Sequence, residues 1–123
     1  MNRRIREIVV LQLKQYPIAK KIVQETKEEN PEIKRMRDWV RAIEEALSML
    51  KRDAPHKASL MELLFFADAG DTPSDSCARR ELLLDELHIS SPTLYRWRDD
   101  IINAVTISAV ETGAMSVYRP AAG

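Results

Sequence analysis

The run Ser90-Ser-Pro-Thr-Leu-Tyr-Arg-Trp-Arg98 gathers hydroxyls, two guanidinium groups and a proline that can open a helix. These groups hold phosphates and read base edges, because guanidinium forks and hydroxyls donate to anionic oxygens and to the groove faces of base pairs. Other chemistry is poorly provided for. His56 and His88, the two histidines, stand apart with no metal-ligand motif around them. The acid pairs Glu28-Glu29, Glu44-Glu45 and Asp99-Asp100 are adjacent in helical sequence and so point in different directions. No phosphate loop, nucleophile elbow or nucleotide fingerprint occurs, so the expectation is a non-enzyme without cofactor or metal.

Positioning these groups requires two short helices joined by a tight turn. Leu83 and Leu87 lie four apart before the turn, Ile89 sits in it, and Leu94 and Trp97 lie three apart after it, so the five can converge on one small core. Pro92 disfavours helical geometry at Ser91, which suits Ser91 as N-cap; Ser90 is the cap if the helix begins one residue earlier. Either start faces outward with hydroxyls and backbone amides suited to a phosphate. His88 occupies the place where such turns often carry glycine, and must turn left-handed or widen the turn. The layout is that of a helix-turn-helix whose second helix, over 91–103, enters a major groove. Arg79, Arg80, Ser90, Ser91, Thr93, Tyr95, Arg96 and Arg98 are then the candidate DNA contacts.

Leu87-His-Ile-Ser-Ser-Pro-Thr-Leu-Tyr-Arg-Trp-Arg-Asp-Asp-Ile101 resembles the signature of phage late-operon transcriptional regulators of the ArpU/RinA type. Their C-terminal helix-turn-helix is similar to region 4 of bacterial sigma factors. Ile5-Arg-Glu-Ile-Val-Val-Leu-Gln-Leu-Lys-Gln-Tyr-Pro17 looks like the opening helix of that family, so the resemblance spans most of residues 3–105. It implies a DNA-binding regulator encoded by a phage or prophage, with double-stranded DNA as partner, and places Ser90, Thr93, Tyr95, Arg96 and Arg98 in or beside the recognition helix.

Three glycines and apolar residues recurring at three- and four-residue steps predict an all-α chain of 123 residues, with N-terminal helices followed by the C-terminal, sigma region-4-like helix-turn-helix. The expected division is 1–52 for packing or oligomerisation, 53–113 for DNA binding, and a flexible tail over 114–123. One helix is expected over 3–15, interrupted at Tyr16-Pro17, and another over about 18–29. Asn30-Pro31-Glu32 starts a long helix to about Arg52. Along it Ile33, Met36, Val40, Ile43, Leu47 and Leu50 form three heptads of a seam that either joins two subunits or packs within the chain. Trp39 and Ala46 broaden that stripe and favour packing within the chain. Asp53 is the expected cap of an apolar helix ending at Gly70, and Thr72 or Ser76 the cap of the next. The recognition helix should continue through Ile101, Ile102, Val105 and Val110 to Gly113, offering an apolar face for a subunit contact.

The 19 basic and 19 acidic residues cancel. Their distribution does not: residues 1–52 carry 13 Lys/Arg against 8 Asp/Glu, and residues 53–123 carry 6 against 11. The DNA reader thus lies in the acidic half, and phosphate binding then needs help from the basic N-terminal helix or from a second copy in a homodimer. Cys77 has no partner for an intramolecular disulfide. No apolar run approaches the roughly 20 residues of a bilayer span, so a soluble protein of the bacterial cytoplasm, with no membrane partner, is expected. Two rival readings share the helical pattern. One is a DNA-packaging adaptor resembling a small terminase subunit; the other is a helical interaction module without DNA binding, with RNA polymerase as a candidate partner.

Overall fold

The computed structural model describes residues 3–66, 81 and 84–115, and every regular element among them is helical. Helix α1 spans Arg3–Glu25, α2 Pro31–Asp53 and α3 Pro55–Met61, which runs into a π-helical turn over Glu62–Phe66. A helical turn over 84–87 precedes α4, Ser91–Thr112.

α1 does not stop at Pro17, contrary to expectation. A proline inside a helix costs about 3 kcal/mol through one lost hydrogen bond and a carbonyl clash. Packing on both sides of it outweighs that cost. Val9, Leu13 and Tyr16 are buried before it, and Ala19 and Val23 pack on the core after it. The Asn30 side chain caps α2 by accepting from the Ile33 amide at 2.9 Å, as its sequence predicts. Asp53, by contrast, is the last residue of α2 and takes the Arg52 guanidinium. Ala54 leads into α3 without a side-chain cap.

Tyr16 meets Glu44 and Ser108 reaches the Ala42 carbonyl, while Lys57, just past the end of α2, pairs with Asp100. α1 and α4 therefore both run antiparallel to α2, and α3 starts at the end where α2 finishes. One continuous core joins all four helices, with Leu13, Ile43, Leu60, Met61, Ile101 and Ile102 at its centre. Of the α2 seam, Val40, Ile43 and Leu50 lie in this core with Trp39, Ala42 and Ala46 beside them, and Ile33 is buried within the chain as well. In the α4 extension Ile101, Ile102 and Val105 are likewise internal and form no subunit face, whereas Val110 is exposed. Gly113 ends α4 in the left-handed region at φ 84°, its amide donating to the Val110 carbonyl. Ala114 and Met115, expected in the tail, pack on the core. Residues 116–123 lie outside the described residues, as do Gly70, Thr72, Ser76, Cys77 and Leu83.

Candidate functional site

Ahead of α4 the helical turn over 84–87 ends in a left-handed stop. The His88 amide donates to the Asp85 carbonyl at 3.3 Å and the Ile89 amide to the Leu84 carbonyl at 3.1 Å, the paired bonds of a Schellman stop. His88 takes the left-handed conformation this stop requires, at φ 55°, the first of its two sequence-level options. Leu84, Leu87 and Ile89 pack partly buried on the core, Leu94 is buried, and Trp97 closes the group against the His56 ring, centroids 4.6 Å apart.

Ser90 caps α4, not Ser91. Its Oγ accepts from the Thr93 amide at 3.4 Å and pairs with the Thr93 hydroxyl at 3.0 Å, and its carbonyl takes the Leu94 amide. Pro92 has no amide to offer, and the Ser91 amide stays open to an outside acceptor at this helix start. Ser91, Pro92, Tyr95 and Arg96 are exposed, whereas Thr93 and Arg98 are half-buried. Arg96 and Arg98 stand two positions apart and so leave α4 on nearly opposite sides. Arg96 shares the outward side with Pro92 and Asn103; Arg98 lies toward the side that buries Leu94, Ile101 and Val105. Arg79 and Arg80 lie outside the described residues.

The acidic neighbours are occupied. Asp99 binds Arg6 of α1, and Asp100 binds Lys57 of α3 at 2.9 Å. These two bridges set the starts of α1 and α3 against the third turn of α4 at one end of the bundle, beside Lys51 and Arg52 at the end of α2, and the start of α4 lies about two turns further along. α2 follows the usual polarity, with Glu32 in its first turn and bases in its last. None of the other three has an acid in its first turn, and α1 opens on Arg3, Arg4 and Arg6. Arginines at the positive end of a helix dipole oppose helix formation, and here Arg3 is offset by the Glu7 carboxylate one turn on and Arg6 by Asp99. The sequence separated a basic half from an acidic one; folding brings the basic start of α1 against the acidic stretch of α4.

A second polar group lies midway along α1. The Tyr16 hydroxyl donates to Glu44 Oε2 at 2.7 Å, Lys20 Nζ reaches the same oxygen at 2.9 Å, and the Tyr16 ring rests on Phe66 with centroids 4.6 Å apart. Burial, then the Glu44 bond and charge, raise the Tyr16 pKa, and Glu44 chiefly raises that of Lys20. Burial pushes the Glu44 carboxyl up, but the Lys20 and Tyr16 bonds and the Lys20 charge outweigh it and hold the carboxyl below its ordinary value. Sequence reading missed this triad because its members lie on two helices whose register is fixed only by packing. It ties α1 to α2.

Among the described residues no group of three or more His, Cys, Asp or Glu is placed to hold a metal, and no helix is long and apolar enough to cross a membrane. No family model, curated protein or solved structure matches the chain.

Proposed function

We propose that the chain is a sequence-specific, double-stranded-DNA-binding regulator of the phage late-operon type that its signature resembles, reading DNA with the recognition helix over 91–103. The observation that carries this reading is the uncovered start of α4 at a bundle end where Asp99 and Asp100 are neutralised by Arg6 and Lys57. Arg96, on the outward side, reads a base edge. Arg98, half-buried on the other side, takes a flanking phosphate, and the Ser91 amide takes another. Tyr95 contacts the backbone or a thymine methyl, and Ser90 and Thr93 hold the helix start in shape. Arg3 and Arg4 at the start of α1 supply the positive field that the C-terminal half lacks.

The test is titration of duplex DNA from beside the protein's own gene at two salt concentrations. Binding should weaken steeply with salt, and Arg96→Ala should lose about 1–3 kcal/mol on the specific site while relaxing sequence preference. An equal loss on random DNA would assign Arg96 to phosphate alone. Salt-insensitive or absent binding would overturn the reading.

A further inference from the structure

α1 carries a second apolar stripe on the side away from its own core. Ile8, Leu11, Gln15, Ile18 and Ile22 follow one another in steps of four and three. Ile8, Leu11 and Ile18 are 38 %, 51 % and 61 % exposed, Gln15 is exposed and Ile22 half-buried. The inner side of the same helix buries Val9, Leu13 and Tyr16. The outer stripe therefore contributes nothing to the core, and in isolation leaves large aliphatic groups in water.

We propose that this stripe is a homodimer seam on which a second copy of the chain packs its own α1, parallel and in register. Read as a heptad, the stripe puts Ile8, Gln15 and Ile22 at one core position and Leu11 and Ile18 at the other. In a parallel pair each residue meets its equivalent, so four apolar layers surround one Gln15 layer in which the two amides bond each other. An antiparallel pair that sets Ile8 against the partner's Ile18 places Gln15 against the partner's Leu11 and buries an amide without an acceptor. The flanking charges give the same answer, although Arg4, one heptad before Leu11, meets its own copy at the exposed end of the seam. Glu7, Lys14 and Lys21 flank the seam on one side and Gln12, Ala19 and Thr26 on the other. A parallel pair sets each charged flank against the uncharged one, whereas that antiparallel register brings Lys14 onto the partner's Lys14.

The pairing stands without DNA. Combined with the DNA reading it has a consequence: a twofold axis along α1 turns both copies of the α4 start toward the same end, where one duplex can meet two half-sites. The antiparallel pair would point them in opposite directions.

The test is sedimentation equilibrium of the full chain in the absence of DNA. The expected weight-average mass rises with concentration from 14.1 kDa toward twice that value. Leu11→Glu should hold it at the single-chain mass, and Ile18→Gln, a neutral change at the most exposed stripe position, should repeat the loss. Ile107→Glu, a change at a residue 60 % exposed on α4, should leave the rise intact. In a Cys77→Ser background, Ile8→Cys should form an interchain disulfide on oxidation. A parent chain that stays single at every concentration, or a Leu11→Glu chain that pairs like the parent, overturns the proposal. A dimer that Ile8→Cys fails to cross-link overturns the parallel register. A parent that pairs but ignores DNA sinks the DNA reading alone.

Discussion

α1 and α2 both repeat apolar residues at alternating steps of three and four, yet Ile33, Val40, Ile43 and Leu50 of α2 are buried within the chain while Ile8, Leu11 and Ile18 of α1 face outward. The spacing is the same in the two helices; the width differs. In α2 the seam is broadened by Trp39, Ala42 and Ala46 into a single wide face, which is what a helix lying between α1, α3 and α4 must bury. In α1 the apolar residues form two separate stripes, and the core has room for only the one built on Val9, Leu13 and Tyr16. Periodicity identifies an interface. Which interface is settled by how many neighbours the helix has.

The largest test of this contrast is a pair of truncations. Ile43→Ala, at a side chain 1 % exposed at the centre of the core, should lose about 2–5 kcal/mol of unfolding free energy. Leu11→Ala should stay within about 0.5 kcal/mol when measured at a concentration where the chain is single. Denaturant midpoints at constant slope would read both. Comparable losses at the two sites would mean that the outer stripe is part of the folding core.

A smaller effect separates packing within the chain from packing between chains. Ser108, buried on α4, donates to the Ala42 carbonyl at 2.8 Å and so fastens α4 to the middle of the α2 seam. Ser108→Ala should cost about 1 kcal/mol, the net worth of one such bond. The loss should be independent of protein concentration, because both partners belong to one chain. A loss that fades on dilution would place the α2 seam between subunits.

Much of this architecture could be read from residue order, and the failures have identifiable causes. The Asn30-Pro31-Glu32 start of α2, the Gly113 stop of α4 and the wholly helical character rest on local backbone chemistry that neighbours in sequence decide. Pro17 was misleading because its local penalty is real but smaller than the burial on both sides of it. The Ser90 cap was open between two serines that one turn of sequence cannot separate. At the candidate site, the exposure of Ser91, Tyr95 and Arg96 was foreseeable from the apolar spacing around them. The pairing of Asp99 with Arg6 was not, because it joins residues 93 positions apart and follows from α1 and α4 running in the same direction. The inner and outer stripes of α1 are equally apolar on paper; the fold alone assigns their sides.

The smallest effect is the pH response of the inner stripe. Glu44, bonded by Tyr16 and Lys20, has a carboxyl held below its ordinary value of 4.5, so it stabilises the fold above that value and loses this contribution as pH falls through the depressed one. Tyr16 and Lys20 are shifted up from 10.0 and 10.5, so their contributions are complete below those values and vanish as pH rises through the raised ones. The tie between α1 and α2 is therefore whole across the neutral range and weakens at both extremes. The Glu44 side chain is 42 % exposed, which screens its ion pair, so Glu44→Gln should cost less than about 1 kcal/mol near pH 7. The difference between parent and variant should shrink toward zero as the pH falls below the carboxylate range, while every other carboxylate cancels in the comparison. Leu11→Ala, on the outer stripe, should keep the parent's pH profile throughout. Thermal unfolding of the three chains across the acid range distinguishes the two sides of α1: an altered acid limb in Leu11→Ala would show that the outer stripe is coupled to the triad and that the two sides of the helix do not act separately.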